Sequence, residues 1–213
     1  MSNQLYLKQM EIGPMQNFVY LVGDLNTREA LVVDPAWDVK TVLGQAERDG
    51  FKIKGALITH THFDHVNGLE ELLKKTDGVV YIHKNEAEFL KGMKDNIRKM
   101  EGGSQIKVGQ VEINFLHTPG HTPGSQCFLV GKNLISGDTL FINACGRCDL
   151  PGGNAEEMYR SLSRLADLDE STILYPVHNY ADEPTSTMAN EKRFNPYLQT
   201  TGLDNFLKYR MGY

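Results

Sequence analysis

The sequence predicts an α/β protein in which helices cover β-sheets, and two observations support this fold class. Short apolar runs typical of strands outnumber the amphipathic helical segments, and helical segments interrupt the runs of strands twice. This pattern favours sheets covered by helices over an all-β barrel. The chain has 213 residues and no visible internal repeat or linker-type segment. We therefore expect a single domain over residues 1–213, with a short helical tail from about residue 185.

The elements of the first half follow from apolar spacing and from turn residues. Asp24, Asn26 and Thr27 separate two runs rich in Val, Leu and Tyr, which predicts a hairpin. The carboxylate of Asp38 can cap a helix whose apolar positions recur at helical spacing until Gly50. The elements expected in this half are strands at 17–23, 29–34, 53–60 and 79–82 and helices at 38–50, 68–75 and 85–100.

After Gly103 the pattern changes to short strands at close spacing, several of them separated by glycine-containing turns. Met158, Leu162 and Leu165 share one face of an amphipathic segment, which predicts a helix. The elements expected here are strands at 106–108, 111–116, 126–130, 133–135 and 172–175, a helix at 155–168, and a mostly helical tail from 186 with a break at 195–196.

Composition excludes several classes of protein. The chain has 22 Lys+Arg against 27 Asp+Glu and a formal net charge of -5, whereas nucleic-acid binders usually carry a basic surplus. No apolar run approaches the ~20 residues of a membrane span, so neither nucleic acid nor a membrane is an expected partner. Three cysteines and an N-terminus without a secretory pattern predict a cytoplasmic protein. The oligomeric state stays open at this point, and a homodimer is one candidate.

The most informative segment is His-Thr-His-Phe-Asp-His at residues 60–65. His60 and His62 follow a predicted strand, where side chains two residues apart point to the same side. Asp64 and His65 come where the chain turns towards a helix. Imidazole suits zinc and iron, and a carboxylate can bind or bridge either metal. Four such groups within six residues predict a site for one or two cations, and a polar loop with chance histidines is the weaker explanation.

Three further polar residues occupy similar positions. His121 in TPGHTPGS, Asp138 in ISGDTLF and His178 in LYPVHNY each follow a predicted strand. Loops at strand ends, held by a rigid sheet, are where ligands and catalytic groups collect. Each residue alone could be an ordinary turn residue, but their joint recurrence favours one shared site.

The order of these motifs resembles that of the metallo-β-lactamase fold superfamily. The resemblance runs from about residue 17 to residue 178 and is strongest to the glyoxalase II-like branch, which includes persulfide dioxygenases. It implies an αββα sandwich, with two mixed β-sheets flanked by helices and the metals at one edge of the sheets. It also implies a first metal site of His60, His62 and His121 and a second of Asp64, His65 and His178, bridged by Asp138.

The segment CGRCDLPGG at 145–153 resembles a stretch that contacts glutathione in the same relatives. The resemblance makes Arg147 a candidate anion anchor, since a guanidinium can hold a carboxylate with two hydrogen bonds; an ordinary surface arginine is the alternative. Tyr180, in a Y-P-x-H-x-Y pattern, is the second substrate-binding candidate. Cys145 and Cys148 lie in a glycine-containing loop and not at a helix start, so we expect two free thiols.

For the activity, the resemblance implies a metallo-hydrolase of glutathione-type thioesters with two Zn²⁺ ions, or a mixed zinc and iron pair. A metal-bound hydroxide would attack the thioester carbonyl, because zinc lowers the pKa of bound water to about 7. Asp64 and Asp138 are the catalytic candidates. The best-known β-lactamases of the superfamily carry Cys or Ser in place of Asp138, so antibiotic hydrolysis is disfavoured.

Two other activities stay open. His60, His121 and Asp138 alone form the two-histidine, one-carboxylate set of non-haem Fe²⁺ oxygenases. The resemblance to persulfide dioxygenases therefore implies, as an alternative, a mononuclear Fe²⁺ glutathione persulfide dioxygenase. Val177, in place of the glycine of many hydrolases, and the 35 residues that follow His178 favour this alternative. The third possible activity is hydrolysis of a lactone at a metal centre formed by the same seven ligands.

Overall fold

A computed structural model describes residues 4–90 and 96–212 of the chain. The strands are β1 (Leu5–Ile12), β2 (Asn17–Asp24), β3 (Glu29–Val33), β4 (Lys52–Ile58), β5 (Val79–His83), β6 (Ile97–Met100), β7 (Gln105–Val108), β8 (Val111–His117), β9 (Gln126–Val130), β10 (Asn133–Ile135), β11 (Leu140–Phe141), β12 (Ala144–Cys145), β13 (Ile173–Tyr175) and β14 (Ser186–Thr187). The helices are α1 (Val39–Arg48), α2 (Phe63–Val66), α3 (Leu69–Lys75), α4 (Ala155–Ala166), α5 (Met188–Phe194), α6 (Pro196–Gln199) and α7 (Leu203–Met211), with a 3-10 turn at Ala87–Phe89.

Two six-stranded sheets of mixed direction form the centre of the fold. The first has the strand order β1-β2-β3-β4-β5-β6, in which β1, β2 and β3 are antiparallel and β3 to β6 are parallel. The second has the order β14-β13-β10-β9-β8-β7, with one parallel pair, β10 and β13. β11 and β12 form a small separate hairpin.

The two sheets pack face to face, with helices on both outer faces. Alternate residues of β2 point to opposite sides: Phe18 and Tyr20 enter the core between the sheets, while Val19 and Leu21 pack under α1 and α3. This strand is buried along its whole length, as its continuous apolar run requires. Helices α4 and α7 cover the outer face of the second sheet through a third apolar cluster. The expected αββα sandwich is therefore confirmed.

Several predicted elements are confirmed close to their expected bounds. Helix α1 begins after Asp38, whose side chain accepts a hydrogen bond of 3.0 Å from the backbone N–H of Thr41. The predicted hairpin is formed by β2 and β3. The tail consists of α5, α6 and α7, and the first two are separated at Asn195.

The helix expected at 85–100 is wrong. The chain there forms the 3-10 turn at Ala87–Phe89 and the strand β6, and residues 91–95 lie outside the described part. Strand β1 was not expected either. β1 and β6 are the two outer strands of the first sheet. Each depends on hydrogen bonds to its one neighbouring strand more than on an apolar pattern of its own, so the sequence pattern gives little sign of it. Among the described residues, no helix is long and apolar enough to span a bilayer.

Candidate metal centre

The fold brings the seven expected ligands to one edge of the sandwich. His60 follows β4, Asp138 follows β10 and His178 follows β13, while His121 lies in the loop between β8 and β9. Asp64 and His65 lie in α2. The two sheets are in contact at this edge, where Asn17 and His178 form an isolated antiparallel bridge. Residues that are far apart in the sequence can therefore surround one point.

The first set of ligands is formed by three imidazoles. Nδ1 of His62 lies 3.0 Å from Nε2 of His60 and 2.8 Å from Nε2 of His121. The three nitrogens therefore face one another across a space of atomic size. Such a group fits a cation held by three histidines, because a shared positive ion removes the repulsion between facing lone pairs.

The second set combines a carboxylate with two imidazoles. Nε2 of His65 and Nε2 of His178 are 3.3 Å apart, and Oδ2 of Asp64 lies 3.4 Å from each of them. Nitrogen and oxygen ligands in this arrangement suit zinc or iron.

Asp138 lies between the two sets. Its Oδ2 is 3.3 Å from Nε2 of His121, and its Oδ1 is 3.5 Å from Nε2 of His65 and 3.6 Å from Nε2 of His178. Oδ1 is buried and has no hydrogen-bond partner among the described residues. A buried carboxylate oxygen without a partner is costly unless a cation compensates it, so the residues present fit a metal centre to which Asp138 would contribute a ligand.

Hydrogen bonds on the far side of the rings orient two of the histidines. Nδ1 of His121 donates to the backbone carbonyl of Arg147 at 2.8 Å, and Nδ1 of His178 donates to that of Met15 at 3.1 Å. Because a carbonyl oxygen only accepts, Nδ1 carries the proton in both rings and Nε2 presents its lone pair to the cluster.

One buried carboxylate orients two more histidines, and it was not expected from the sequence. Oδ2 of Asp34 lies 3.0 Å from Nδ1 of His65 and accepts a bond of 2.6 Å from the hydroxyl of Thr59. The same hydroxyl oxygen lies 3.1 Å from Nδ1 of His60. Asp34 was predicted only as the end of a strand. Nothing local in the sequence reveals that it contacts His65 directly and His60 through Thr59.

Asn17 performs a similar role for the carboxylate of the second set. Its Nδ2 donates to Oδ2 of Asp64 at 2.9 Å, and its Oδ1 accepts a bond of 2.7 Å from the indole of Trp37. Asn17 is buried at the start of β2. The indole therefore holds the amide, and the amide in turn holds the carboxylate.

Glu86 joins the two loops that carry the first set. Its side chain is 1% exposed. One carboxylate oxygen accepts from the backbone N–H of Thr61 at 3.0 Å and from its hydroxyl, and the other accepts from the N–H of Gly124 at 3.0 Å. Thr61 separates His60 from His62, and Gly124 belongs to the loop of His121. Glu86 was expected inside a helix, which concealed this role.

Two glycines allow the loops around Asp138 to approach closely. Gly137 has a φ of +54°, a left-handed conformation that presents Asp138 after β10. A Cβ atom at Gly146 would lie 1.8 Å from the carbonyl oxygen of Asp138. The CGRC segment can therefore lie against the Asp138 turn only because residue 146 has no side chain.

Burial and mutual repulsion lower the pKa of two imidazoles of the first set. Burial, followed by the charges of His65 and His121, holds the pKa of His60 well below its usual value. Burial and the charge of His121 also lower the pKa of His62. Both rings therefore stay neutral near pH 7, which is the form that binds a metal.

The substrate-binding candidates border the cluster in different ways. The ring of Tyr180 stacks on His178 with centroids 4.6 Å apart and an angle of 9°. The guanidinium of Arg147 forms two hydrogen bonds with the carboxylate of Asp149, of 3.0 and 2.8 Å. The backbone carbonyl of Arg147 orients His121 in the cluster. The role of the Arg147 side chain as an anion anchor stays a prediction. Cys145 and Cys148 are free, and burial raises the pKa of both thiols.

Comparison with known proteins identifies the family. A sequence model described as Metallo-beta-lactamase superfamily matches residues 12–178. The chain belongs to the metallo-beta-lactamase superfamily. The resemblance noted in the sequence is thereby confirmed. As a member of this superfamily, the protein is a metal-dependent enzyme of the hydrolase or dioxygenase type.

Relatives within the superfamily carry two kinds of name. The chain is 31% identical over 195 residues to the "Probable polyketide biosynthesis zinc-dependent hydrolase PksB" of Bacillus subtilis (91% of this chain, 87% of the relative). It is 35% identical over 164 residues to a "Hydroxyacylglutathione hydrolase" of Shewanella loihica (77% and 62%). It is 31% identical over 211 residues to the human "Persulfide dioxygenase ETHE1, mitochondrial" (96% and 80%).

A solved structure extends the comparison to the fold. The crystal structure of ETHE1 from Myxococcus xanthus superimposes with a TM-score of 0.87 at 29% identity, covering 98% of this chain and 92% of that one. The layered fold of the superfamily is therefore present over nearly the whole chain.

Proposed function

We propose that this superfamily member is a hydrolase of glutathione-type thioesters that uses two metal ions. The observation that carries the proposal is the presence of two three-ligand sets with Asp138 between them. His60, His62 and His121 would hold one ion, and the second set would hold the other. Two zinc ions, or a zinc and an iron, would supply Lewis acidity and a nucleophile formed from water near neutral pH.

The protein's own residues orient the reaction. His60, His65, His121 and His178 are buried, whereas His62, Asp64 and Asp138 are partly exposed. A thioester carbonyl therefore approaches from the side of these three residues. Because hydrogen bonds fix the imidazole tautomers in advance, little reorganisation is needed when the substrate binds.

In the net reaction one water is consumed. An oxygen of water bonds to the acyl carbon, and the carbon–sulfur bond breaks with its electrons going to sulfur. One proton of the water goes to the sulfur and the other is released, so the products are a carboxylate, a thiol and a proton. This reaction requires no side-chain nucleophile. The buried thiols of Cys145 and Cys148, with their raised pKa values, are poorly suited to that role.

The names of the relatives support metal-dependent hydrolysis and also one alternative. PksB is named as a zinc-dependent hydrolase and the Shewanella relative as a hydroxyacylglutathione hydrolase. The persulfide dioxygenase relative, however, matches 96% of this chain against 77% for the glutathione hydrolase. A mononuclear Fe²⁺ persulfide dioxygenase that uses His60, His121 and Asp138 is therefore our second candidate, and lactone hydrolysis with the full ligand set is the third.

Two parallel assays distinguish the first two candidates. The chelator-treated protein is loaded with Zn²⁺ or, without oxygen, with Fe²⁺, and each form is given S-acetylglutathione or glutathione persulfide. Release of thiol from the thioester by the zinc form, without oxygen uptake, supports the hydrolase. Oxygen uptake on the persulfide by the iron form, without thioester turnover, overturns it. Asp138→Ala provides the matched inactive control in both assays.

A further inference from the structure

Large apolar side chains are exposed around the metal centre. Of the seven that are exposed in the described part of the chain, four belong to segments that hold ligands or border them: Met15, Phe63, Phe89 and Tyr180. Phe63 directly follows His62 and is 71% exposed, and Phe89 is 67% exposed. Exposed apolar groups that collect at one place indicate a binding surface more than chance.

One of these side chains lines a cavity beside the first set of ligands. The cavity encloses about 450 Å³ and its walls include Phe89, Pro123, Pro151 and Gly152. His62 forms part of the same wall, so the cavity opens directly onto the cluster. This volume lies within the usual range for small-molecule pockets, which are mostly apolar.

The cavity is held in shape by hydrogen bonds between its walls. Glu86 binds both Thr61 and Gly124, and its backbone carbonyl accepts a bond of 3.0 Å from the N–H of Phe89. Asn85 donates from its side chain to the carbonyl of Pro123 at 3.2 Å. The backbone of Phe89 is therefore attached to the loops that carry the ligands, and the cavity exists before any substrate enters.

We infer that this cavity binds the apolar acyl chain of the thioester substrate. The inference rests on the proposed function, because it places the thioester carbonyl at the open side of the cluster, next to His62. The chain attached to that carbonyl then enters the cavity that shares His62. The glutathione portion carries two carboxylates, and the described residues that line the cavity include neither lysine nor arginine. The apolar end of the substrate suits these walls better than the charged end.

A series of acyl chains tests the inference. The zinc-loaded enzyme is given S-acetyl-, S-hexanoyl- and S-decanoylglutathione, and kcat/KM is measured for each. We expect kcat/KM to rise with chain length by about fourfold per methylene until the cavity is filled. Phe89→Ala should lower kcat/KM about tenfold for the hexanoyl substrate and less than twofold for the acetyl substrate. Phe194→Ala, which removes another exposed phenyl ring (58% exposed) that does not line the cavity, should change neither.

A second measurement is independent of turnover. Calorimetry of decanoate binding to the zinc-loaded protein should give an association with negative ΔCp, as burial of apolar surface requires. Phe89→Ala should weaken this binding about tenfold, and acetate should bind much more weakly than decanoate. These outcomes support the cavity even if no thioester is hydrolysed, in which case only the proposed function fails. Equal kcat/KM for all chain lengths, together with decanoate binding that is unaffected by Phe89→Ala, would overturn the inference and leave the hydrolase intact.

Discussion

Oδ2 of Asp34 lies 3.0 Å from Nδ1 of His65, on the side of the ring that faces away from the ligand cluster. The same carboxylate holds Thr59, whose hydroxyl oxygen faces Nδ1 of His60. His60 belongs to the first set of ligands and His65 to the second. One carboxylate, 2% exposed, therefore orients a histidine in each set, and disturbing it should affect both metal sites together.

The first prediction concerns this carboxylate. Asp34→Asn replaces an acceptor oxygen with a donor amide next to Nδ1 of His65 and the hydroxyl of Thr59. The rings of His65 and, through Thr59, of His60 therefore lose their fixed orientation. We expect metal affinity to fall about 10-fold to 100-fold, as is typical for partners of ligating histidines. Competition with a chromogenic chelator measures the change. Asp38→Asn is the matched control, since asparagine also caps a helix; unchanged affinity in Asp34→Asn would contradict the role assigned to Asp34.

The second prediction concerns the carboxylate that joins the two loops of the first set. Glu86→Ala leaves the N–H groups of Thr61 and Gly124 without their acceptor, at a cost of about 1–3 kcal/mol for each buried group. We expect lower stability in urea and weaker metal binding. Glu86→Gln retains an acceptor oxygen and should recover much of both, while Glu112→Ala on the exposed face of β8 should alter neither. Glu86→Ala with wild-type metal affinity would show that the loops do not depend on this residue.

The third prediction concerns the bridging carboxylate. Asp138→Ala removes the group that faces ligands of both sets, and His60→Ala removes a buried ligand of the first. We expect each variant to lose bound metal and activity together, which metal analysis and thioester turnover on the same sample will measure. Full turnover with unchanged metal content would refute the assignment.

The fourth prediction concerns a pair of histidines outside the cluster. His83 stacks on His117 with ring centroids 3.9 Å apart. Burial, followed by the charges of His117 and Lys84, lowers the pKa of His83 to about 4, although Glu86 and Glu101 oppose this shift. The unfolded chain keeps a pKa near 6.5, so it binds more protons than the folded chain between these values. The neutral ring therefore stabilises the fold above pH 6.5, and this contribution is lost as the pH falls towards 4.

His83→Phe keeps an aromatic ring in the stack but cannot titrate. We expect acidification from pH 6.5 to 4 to destabilise the variant less than the wild type, by on the order of 2 kcal/mol. Urea unfolding of both proteins in the presence of a chelator gives this difference, because the metal ligands titrate alike in both. Equal losses of stability on acidification would exclude His83 as the cause.

The candidate ligands could be proposed from the sequence because their signal is local. Residues 60–65 carry four of them, and the other three each follow an apolar strand with turn residues beside them. The supporting groups could not be predicted in the same way. Asp34 meets His65 across 31 positions and Glu86 meets Gly124 across 38, so their roles depend on tertiary contacts that no local pattern reveals.

The wrong helix at 85–100 has a related origin. Helical spacing over this segment competes with pairing of β6 to β5, a contact that exists only once the sheet has formed. The error concealed Glu86 and Phe89, which shape the cavity beside His62.

The number of metal ions bound by each chain tests the central claim most directly. Chelator-treated protein is titrated with Zn²⁺, and the bound metal is counted after removal of excess ions. We predict two equivalents in the wild type and fewer in His65→Ala, in which the second set has lost a ligand. A wild-type protein that binds only one equivalent, with His65→Ala indistinguishable from it, would contradict the claim that both sets bind metal.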